Sequence, residues 1–231
     1  MQQVFQSAYR NNVWGDPESV SGPGSGLRRT EAFRDQIPPL LEELGARSLI
    51  DAGCGDFNWM KEIQLPVDWY LGVEIVPELA ARNRDAHSDP TRTFMHADLA
   101  RDDLPRADVI LCRDCLVHFS FEDIQAALRN FKRSQSLYLL TTTFIEFQTN
   151  LDMETGGWRR LNLERPPFHF PPPLKAIDEK CLHTGGIYAD KRLAFVAPGG
   201  YRGLTEQPWI GIKDAALIPT RAGQKEEWHG L

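Results

Sequence analysis

The sequence predicts an α/β domain: a mostly parallel sheet of seven strands, covered by helices on both faces and closed by a C-terminal antiparallel hairpin. Two observations carry this expectation. Short, continuously apolar runs alternate with stretches of helical period, as strands buried on both faces require. The first three runs end on acids, Asp51, Glu74 and Asp98. Ligands of parallel sheets bind outside the carboxyl ends of the strands, so these acids and the segment after Cys112 should converge on one crevice.

At 231 residues the chain suits one large domain with decorations. Its 42% apolar and 25% charged residues favour neither disorder nor a membrane protein. No apolar run approaches the ~18 residues of a span. The first ten residues lack a basic segment leading into an apolar one, so a cytoplasmic address is expected. A net charge of -6 argues against nucleic acid as partner. The expected partners are a small-molecule acceptor and at most a second copy of the chain. Four cysteines, Cys54, Cys112, Cys115 and Cys181, read as reduced thiols; Cys112 and Cys115 have no second pair with which to hold a metal, and no metal is expected.

Residues 1–26 set Phe5, Tyr9 and Trp14 among turn formers and end in Ser21-Gly-Pro-Gly-Ser-Gly26. Aromatics so spaced suggest a lid segment that docks on the domain. From Leu27 to Leu44 the period is helical, with Phe33, Ile37, Leu40 and Leu41 on one face. Pro38-Pro39 should divide it into two helices, and Gly45 should stop it. The first strand, Ser48–Asp51, runs into Gly53 and Gly55, and a short helix is expected after the turn. Strands follow at 69–74, 93–98, 108–112 and 137–142, with helices at 75–87 and from Ser120, an N-cap before an acidic first turn. Residues 144–173, rich in Gly and Pro, form a long loop of the kind that usually serves function. Strands at 174–181 and 191–197, joined through Gly185-Gly186, make the hairpin. The domain is thus drawn at 27–197, with an unassigned extension at 198–231.

The Gly53/Gly55 turn admits two readings. A dinucleotide fingerprint wants a third glycine where Asn58 stands, and a carboxylate at Asp51 would repel a pyrophosphate. A ligand with a positive centre fits better. S-adenosyl-L-methionine is one: Glu74 is placed to accept both ribose hydroxyls and Asp98 the adenine amine. The motifs Asp51-Ala-Gly53-Cys-Gly55, Glu74 and Ala97-Asp98 resemble those of class I S-adenosylmethionine-dependent methyltransferases. More narrowly, Trp14-Gly-Asp-Pro-Glu-Ser, Cys54-Gly-Asp-Phe-Asn-Trp-Met, Cys112-Arg-Asp-Cys-Leu-Val-His-Phe and Gly156-Gly-Trp-Arg resemble segments of a group of small-molecule and glycan-cluster methyltransferases. The likeness runs from about Val4 to Phe195. It implies a Rossmann-like fold and donor contacts from Trp14, Ser21, Asp51, Gly53, Gly55, Asn58, Trp59, Glu74, Ile75, Asp98, Leu99 and Arg113.

Methyl transfer is an in-line displacement, so the protein mainly aligns the nucleophile and excludes water. A hydroxyl acceptor needs a base, for which His118 and Asp114 are the candidates. A carboxylate acceptor needs instead a cationic anchor, for which Arg113, Arg159 and Arg160 are available. Tyr9, Thr143, Trp158, Arg159 and Arg160 are the candidate acceptor contacts. The sequence leaves both acceptors open. A nicotinamide-dependent oxidoreductase and a non-catalytic donor-binding subunit stand as the alternatives to an O-methyltransferase.

Overall fold

The computed structural model describes residues 1–182 and 185–197. Seven strands form one sheet in the order β3-β2-β1-β4-β5-β7-β6. They are β1 Ser48–Ala52, β2 Trp69–Glu74, β3 Arg92–His96, β4 Val109–Cys112, β5 Tyr138–Phe144, β6 Lys175–Asp178 and β7 Lys191–Val196. All neighbours are parallel except β7, which runs against both β5 and β6. The expected hairpin is therefore present, and its geometry matters: the first residue of β7 and the last of β6 both reach the carboxyl edge of the parallel strands. The proposed extension at 198–231 lies outside the described residues.

Successive strand residues alternate between faces, and each face has its own core. Leu49, Tyr70, Val109, Leu111 and Leu140 pack against α2 (Leu27–Arg34) and α3 (Ile37–Glu43), through Phe33, Ile37, Leu40 and Leu41. The intervening Ile50, Leu71, Ile110 and Leu139 pack against α4 (Pro77–His87) and α5 (Phe121–Arg133), through Leu79, Ile124, Leu128 and Phe131. Pro38 and Pro39 fall in the first turn of α3, where a missing N–H costs nothing, and so start that helix instead of kinking one longer helix. At the N-cap of α5 the Ser120 hydroxyl accepts from the Asp123 N–H at 3.2 Å. The expected helix after the glycine turn is a single 3-10 turn, Met60–Glu62.

Two segments have more order than the sequence suggested. The N-terminal lead begins with a helix, α1 (Gln2–Arg10), whose Phe5 is buried. Gln6 and Arg10 fasten it to Glu78 in the first turn of α4. Residues 145–174 have no regular secondary structure, yet Leu161, Leu163, Phe168 and Phe170 are buried. Asn162 pins this segment, donating to the Ile145 and Phe147 carbonyls and accepting from the Glu164 N–H. No helix among the described residues is long and apolar enough to cross a membrane.

Candidate active site

The crevice begins where β1 ends. Gly53 and Cys54 donate their N–H groups to the Val73 carbonyl at 2.9 and 3.0 Å, so the chain turns back over β2. Gly53 and Gly55 take φ of 83° and 57°, values that favour glycine. A Cβ on Gly55 would lie 2.2 Å from the Ser21 hydroxyl. That closeness reflects a clamp. Asp56 accepts from the Ser19 and Ser21 hydroxyls at 3.0 and 3.2 Å and from the Val20 N–H at 3.0 Å, while Ser21 Oγ accepts from the Asp56 N–H at 2.9 Å.

Two cavities open on this turn. The inner one, about 100 Å³, lies between the turn, β2 and α1, and is lined by Phe5, Tyr9, Glu74, Ile75 and Leu99. The outer one, about 350 Å³, extends over Asp51, Trp59, Arg113 and Trp158 to the hairpin. Trp14, Ser21, Gly53, Gly55, Asp114 and His118 line both. The pair therefore forms one continuous groove with His118 and Asp114 at its waist.

Charge is distributed unevenly along it. Among the described residues the inner cavity is lined by the carboxylates of Glu74 and Asp114 and by no lysine or arginine. Burial raises the Glu74 carboxyl above its ordinary value against the pull of backbone N–H groups; Oε2 accepts from Gly55 at 3.0 Å and Oε1 from Val76 at 2.9 Å. With three backbone N–H groups about it, those of Val76, Gly55 and Ile75, the carboxylate keeps acceptor capacity for a ligand. Asp51, 3% exposed, is pushed up to about 7 by burial, although the Tyr70 hydroxyl donates to it at 2.7 Å and Arg113 lies near.

In the outer cavity, four ionic side chains balance one another. Arg113 donates to Glu179 Oε2 from Nη2 at 2.7 Å and Nε at 3.1 Å, and from Nη1 to the Gly24 carbonyl. Lys191 lies 2.6 Å from Asp114 Oδ2 and 3.1 Å from Glu179 Oε2. Burial alone would raise the Asp114 carboxyl, but Lys191 and Arg113 outweigh it and hold this group well below the usual carboxylate range. Asp114 is thus ionised and fully engaged, a poor proton acceptor. Phe144, Trp158 and Tyr188 form an aromatic corner beside this network, with ring centroids 5.2 to 6.2 Å apart.

His118 is held from three sides. Its ring Nδ1 lies 2.7 Å from the Gly157 carbonyl, which fixes Nδ1 as the protonated nitrogen and leaves Nε2 with a lone pair. Its own carbonyl accepts from the Gly156 N–H at 2.8 Å, and Phe5 and Trp14 pack edge-on to the ring. Burial lowers the imidazole below its ordinary pKa, so it is neutral at pH 7.

Five of the candidate residues line neither cavity. Asn58 turns away from the groove and donates to Glu18 Oε1 and the Ser25 carbonyl. Asp98 accepts from the Ala100 N–H within its own loop, and it is the adjacent Leu99 that reaches the inner cavity. Thr143 faces Leu161 and Leu163, while its neighbour Thr142 accepts from the Asp114 N–H. Arg159 donates to the Val117 carbonyl and lies over Phe121; Arg160 lies over Phe147 on another surface hollow. Conversely, Glu179, Lys191, Tyr188 and Arg29 line the outer cavity without having been singled out in the sequence. Among the described residues no group of three His, Cys, Asp or Glu side chains is arranged to hold a metal.

A sequence profile described as a methyltransferase domain matches residues 27–174, more than half of the chain. No curated protein matches the sequence. Solved structures with similar folds include magnesium protoporphyrin IX methyltransferase (ChlM) of Synechocystis PCC 6803 with bound SAH, 17% identical with a TM-score of 0.46 over 62% of this chain and 71% of that one. Phosphoethanolamine N-methyltransferase 1 of Haemonchus contortus is 14% identical, with a TM-score of 0.47 over 68% and 35%. The methyltransferase domain of bacterial CtHen1 is 16% identical, with a TM-score of 0.44 over 51% of this chain and 66% of that one, just under two thirds of its length.

Proposed function

The chain belongs to the methyltransferase domain family, and from that premise we propose that it moves a methyl group from S-adenosylmethionine to a hydroxyl oxygen of a small acceptor, in the cytoplasm. The observation that carries the choice of oxygen chemistry is His118: a neutral imidazole whose Nδ1–H is tied to the Gly157 carbonyl and whose residue lines both halves of the groove.

The donor suits the inner cavity on its chemistry. With Asp114 matched by Lys191, the Glu74 carboxylate and a lining without lysine or arginine among the described residues suit a ligand with a cationic centre and offer no counter-charge to the pyrophosphate of a dinucleotide. Glu74 would hold the ribose hydroxyls, and Leu99 and Ile75 would pack on the adenine. Arg29, which has no ion-pair partner among the described residues, stands on the rim beside the Ser21–Ser25 turn and suits the donor's carboxylate. When bound, the donor supplies a methyl carbon already activated by its sulfonium.

This chain then has two tasks, alignment and deprotonation. His118 Nε2 accepts the acceptor's hydroxyl proton as the oxygen attacks, and the Gly157 carbonyl stabilises the resulting imidazolium through Nδ1–H. Asp114, kept ionised by Lys191, adds a negative charge near that cation. Trp14 and Phe5 cover the waist and exclude water. A carboxylate acceptor finds less support, because Arg113 is committed to Glu179 and neither Arg159 nor Arg160 lines either cavity, although Arg159 keeps Nε and Nη2 without a partner among the described residues.

The test is incubation with labelled donor and a panel of sugars, phenols and carboxylic acids, read by mass detection. Ethers stable to mild alkali, lost on His118→Ala while donor binding persists, support the reading. Label appearing in alkali-labile esters, or full turnover by His118→Ala, overturns it. Because burial lowers the imidazole pKa, turnover should hold to below pH 6.5 before it falls with acid.

A further inference from the structure

We infer that Glu179 reads a second hydrogen-bond donor on the acceptor, so that the acceptor is a ring bearing at least two hydroxyl groups. This rests on the hydroxyl-methylating reading above and narrows its substrate class.

Glu179 follows β6 directly, and its side chain is only 2% exposed. Oε2 takes both cations, Arg113 and Lys191. Oε1 is buried and has no hydrogen-bond partner among the described residues. A carboxylate oxygen left in that state is costly, and a cavity-lining residue can regain the bond from a ligand. The neighbouring groups do not compete for it: Arg113 spends Nε, Nη1 and Nη2 on Glu179 and Gly24, and Lys191 bridges the two carboxylates.

Charge decides what kind of donor fits. Arg113 and Lys191 are matched one for one by Asp114 and Glu179, so the network has no surplus charge to demand an ammonium group. An anionic group would meet two carboxylates whose cations are already engaged. A neutral hydroxyl satisfies Oε1 without upsetting that balance. The same cavity has an aromatic corner: Trp158 stays 45% exposed although it packs edge-on to Tyr188 and Phe144. A half-exposed indole in the lining suits an apolar contact with a sugar or phenolic ring. With His118 and Glu179 lining the same cavity, one hydroxyl is placed for reaction and another for recognition.

The experiment is calorimetric titration of the full chain, saturated with S-adenosylhomocysteine, by methyl α-D-glucopyranoside and its monodeoxy analogues, by catechol and phenol, and by glucosamine and benzoate. A dihydroxy ring should bind, and removal of one particular hydroxyl should weaken binding roughly 10- to 100-fold, the range for a hydrogen bond to a charged group. In Glu179→Gln the amide oxygen keeps the cations and its NH2, turned to the cavity, can only donate a neutral hydrogen bond to the hydroxyl oxygen, so the discrimination should shrink to roughly a few-fold. The inference is overturned if no dihydroxy probe binds, if none binds better than its deoxy counterpart, if glucosamine or benzoate binds better, or if Glu179→Gln discriminates as the wild type does. The comparison of wild-type affinities stands even where the variant fails to fold. These binding results are independent of where label is transferred, which judges the parent reading separately.

Discussion

Replacing the Asp51 carboxylate by an amide should stabilise the ligand-free protein and weaken its hold on the methyl donor. In the folded chain the Asp51 carboxyl is pushed from 3.8 to about 7 by burial, against the Tyr70 hydrogen bond and Arg113. The folded state therefore binds this proton more tightly than the unfolded state does. As pH rises from about 4 to about 7 the unfolded chain ionises freely while the folded chain must ionise a buried group, so stability falls across that window. At ~1.4 kcal/mol per unit the full cost is on the order of 4 kcal/mol above pH 7. The amide in Asp51→Asn keeps an oxygen for the Tyr70 hydroxyl and carries no charge. Urea unfolding of both proteins from pH 4 to 8 should show near-equal stability at the acid end and an advantage to Asp51→Asn that grows to a few kcal/mol at pH 8. A pH-independent difference, or a wild type that gains on the variant as pH rises, would refute the reasoning. The same logic reaches function. A cationic donor favours the ionised carboxylate, so binding near pH 6 should release a proton, visible as a dependence of calorimetric heat on buffer ionisation; the variant should release none and bind at least several-fold more weakly.

Three further outcomes are expected. Gly55→Ala forces an alanine to φ 57° with its Cβ 2.2 Å from Ser21 Oγ; thermal unfolding should show a loss of roughly 1–3 kcal/mol, and an unchanged midpoint would mean that the turn relaxes freely. Trp158→Ala should raise the acceptor KM while donor affinity stays within about twofold; equal losses for both ligands would place Trp158 in the scaffold. Glu78→Gln, which weakens the tie between α4 and both Gln6 and Arg10, should speed donor release in stopped-flow experiments, and unchanged release would mean that α1 does not cover the inner cavity.

The sheet was legible because its strands are apolar runs punctuated by glycine and acid, and parallel burial leaves few other ways to place them. The first helix was not, since Gln2, Gln3, Gln6 and Ser7 make it polar on all but one side. Its signal was there in the spacing of Met1, Phe5 and Tyr9, one helical turn apart. Asn58 was placed by analogy with a glycine position, whereas its amide fastens Glu18 and the Ser25 carbonyl beneath the turn. At Thr143 a single step of strand alternation separates the residue facing Leu161 from Thr142, which touches Asp114. The largest omission was Glu179 and Lys191. Read as hairpin ends they look ordinary, and Glu179 lies 66 residues from the arginine it pairs with. The clue is topological: in a hairpin added to a parallel sheet, the end of the outer strand and the start of the antiparallel one both arrive at the ligand edge.

The position of His118 shows how far the chemistry depends on segments that look like decoration. The histidine sits in a single 3-10 turn, Leu116–His118, which gives the ring no orientation of its own. Its orientation comes from Gly156 and Gly157 in the long irregular segment, from Trp14 in the lead, and from Phe5 on α1. Gly156 takes φ 108°, and a Cβ there would strike Val4 of α1 at 2.3 Å, so the loop and the helix that cover the base also touch each other. Loosening either one should loosen the other. Gly156→Ala is accordingly expected to lower turnover more than it lowers global stability, because it displaces the Gly157 carbonyl that fixes the imidazole tautomer. Turnover on a hydroxyl acceptor, compared with unfolding by urea, measures the two separately. A variant that loses both in proportion would show that this contact supports the fold alone.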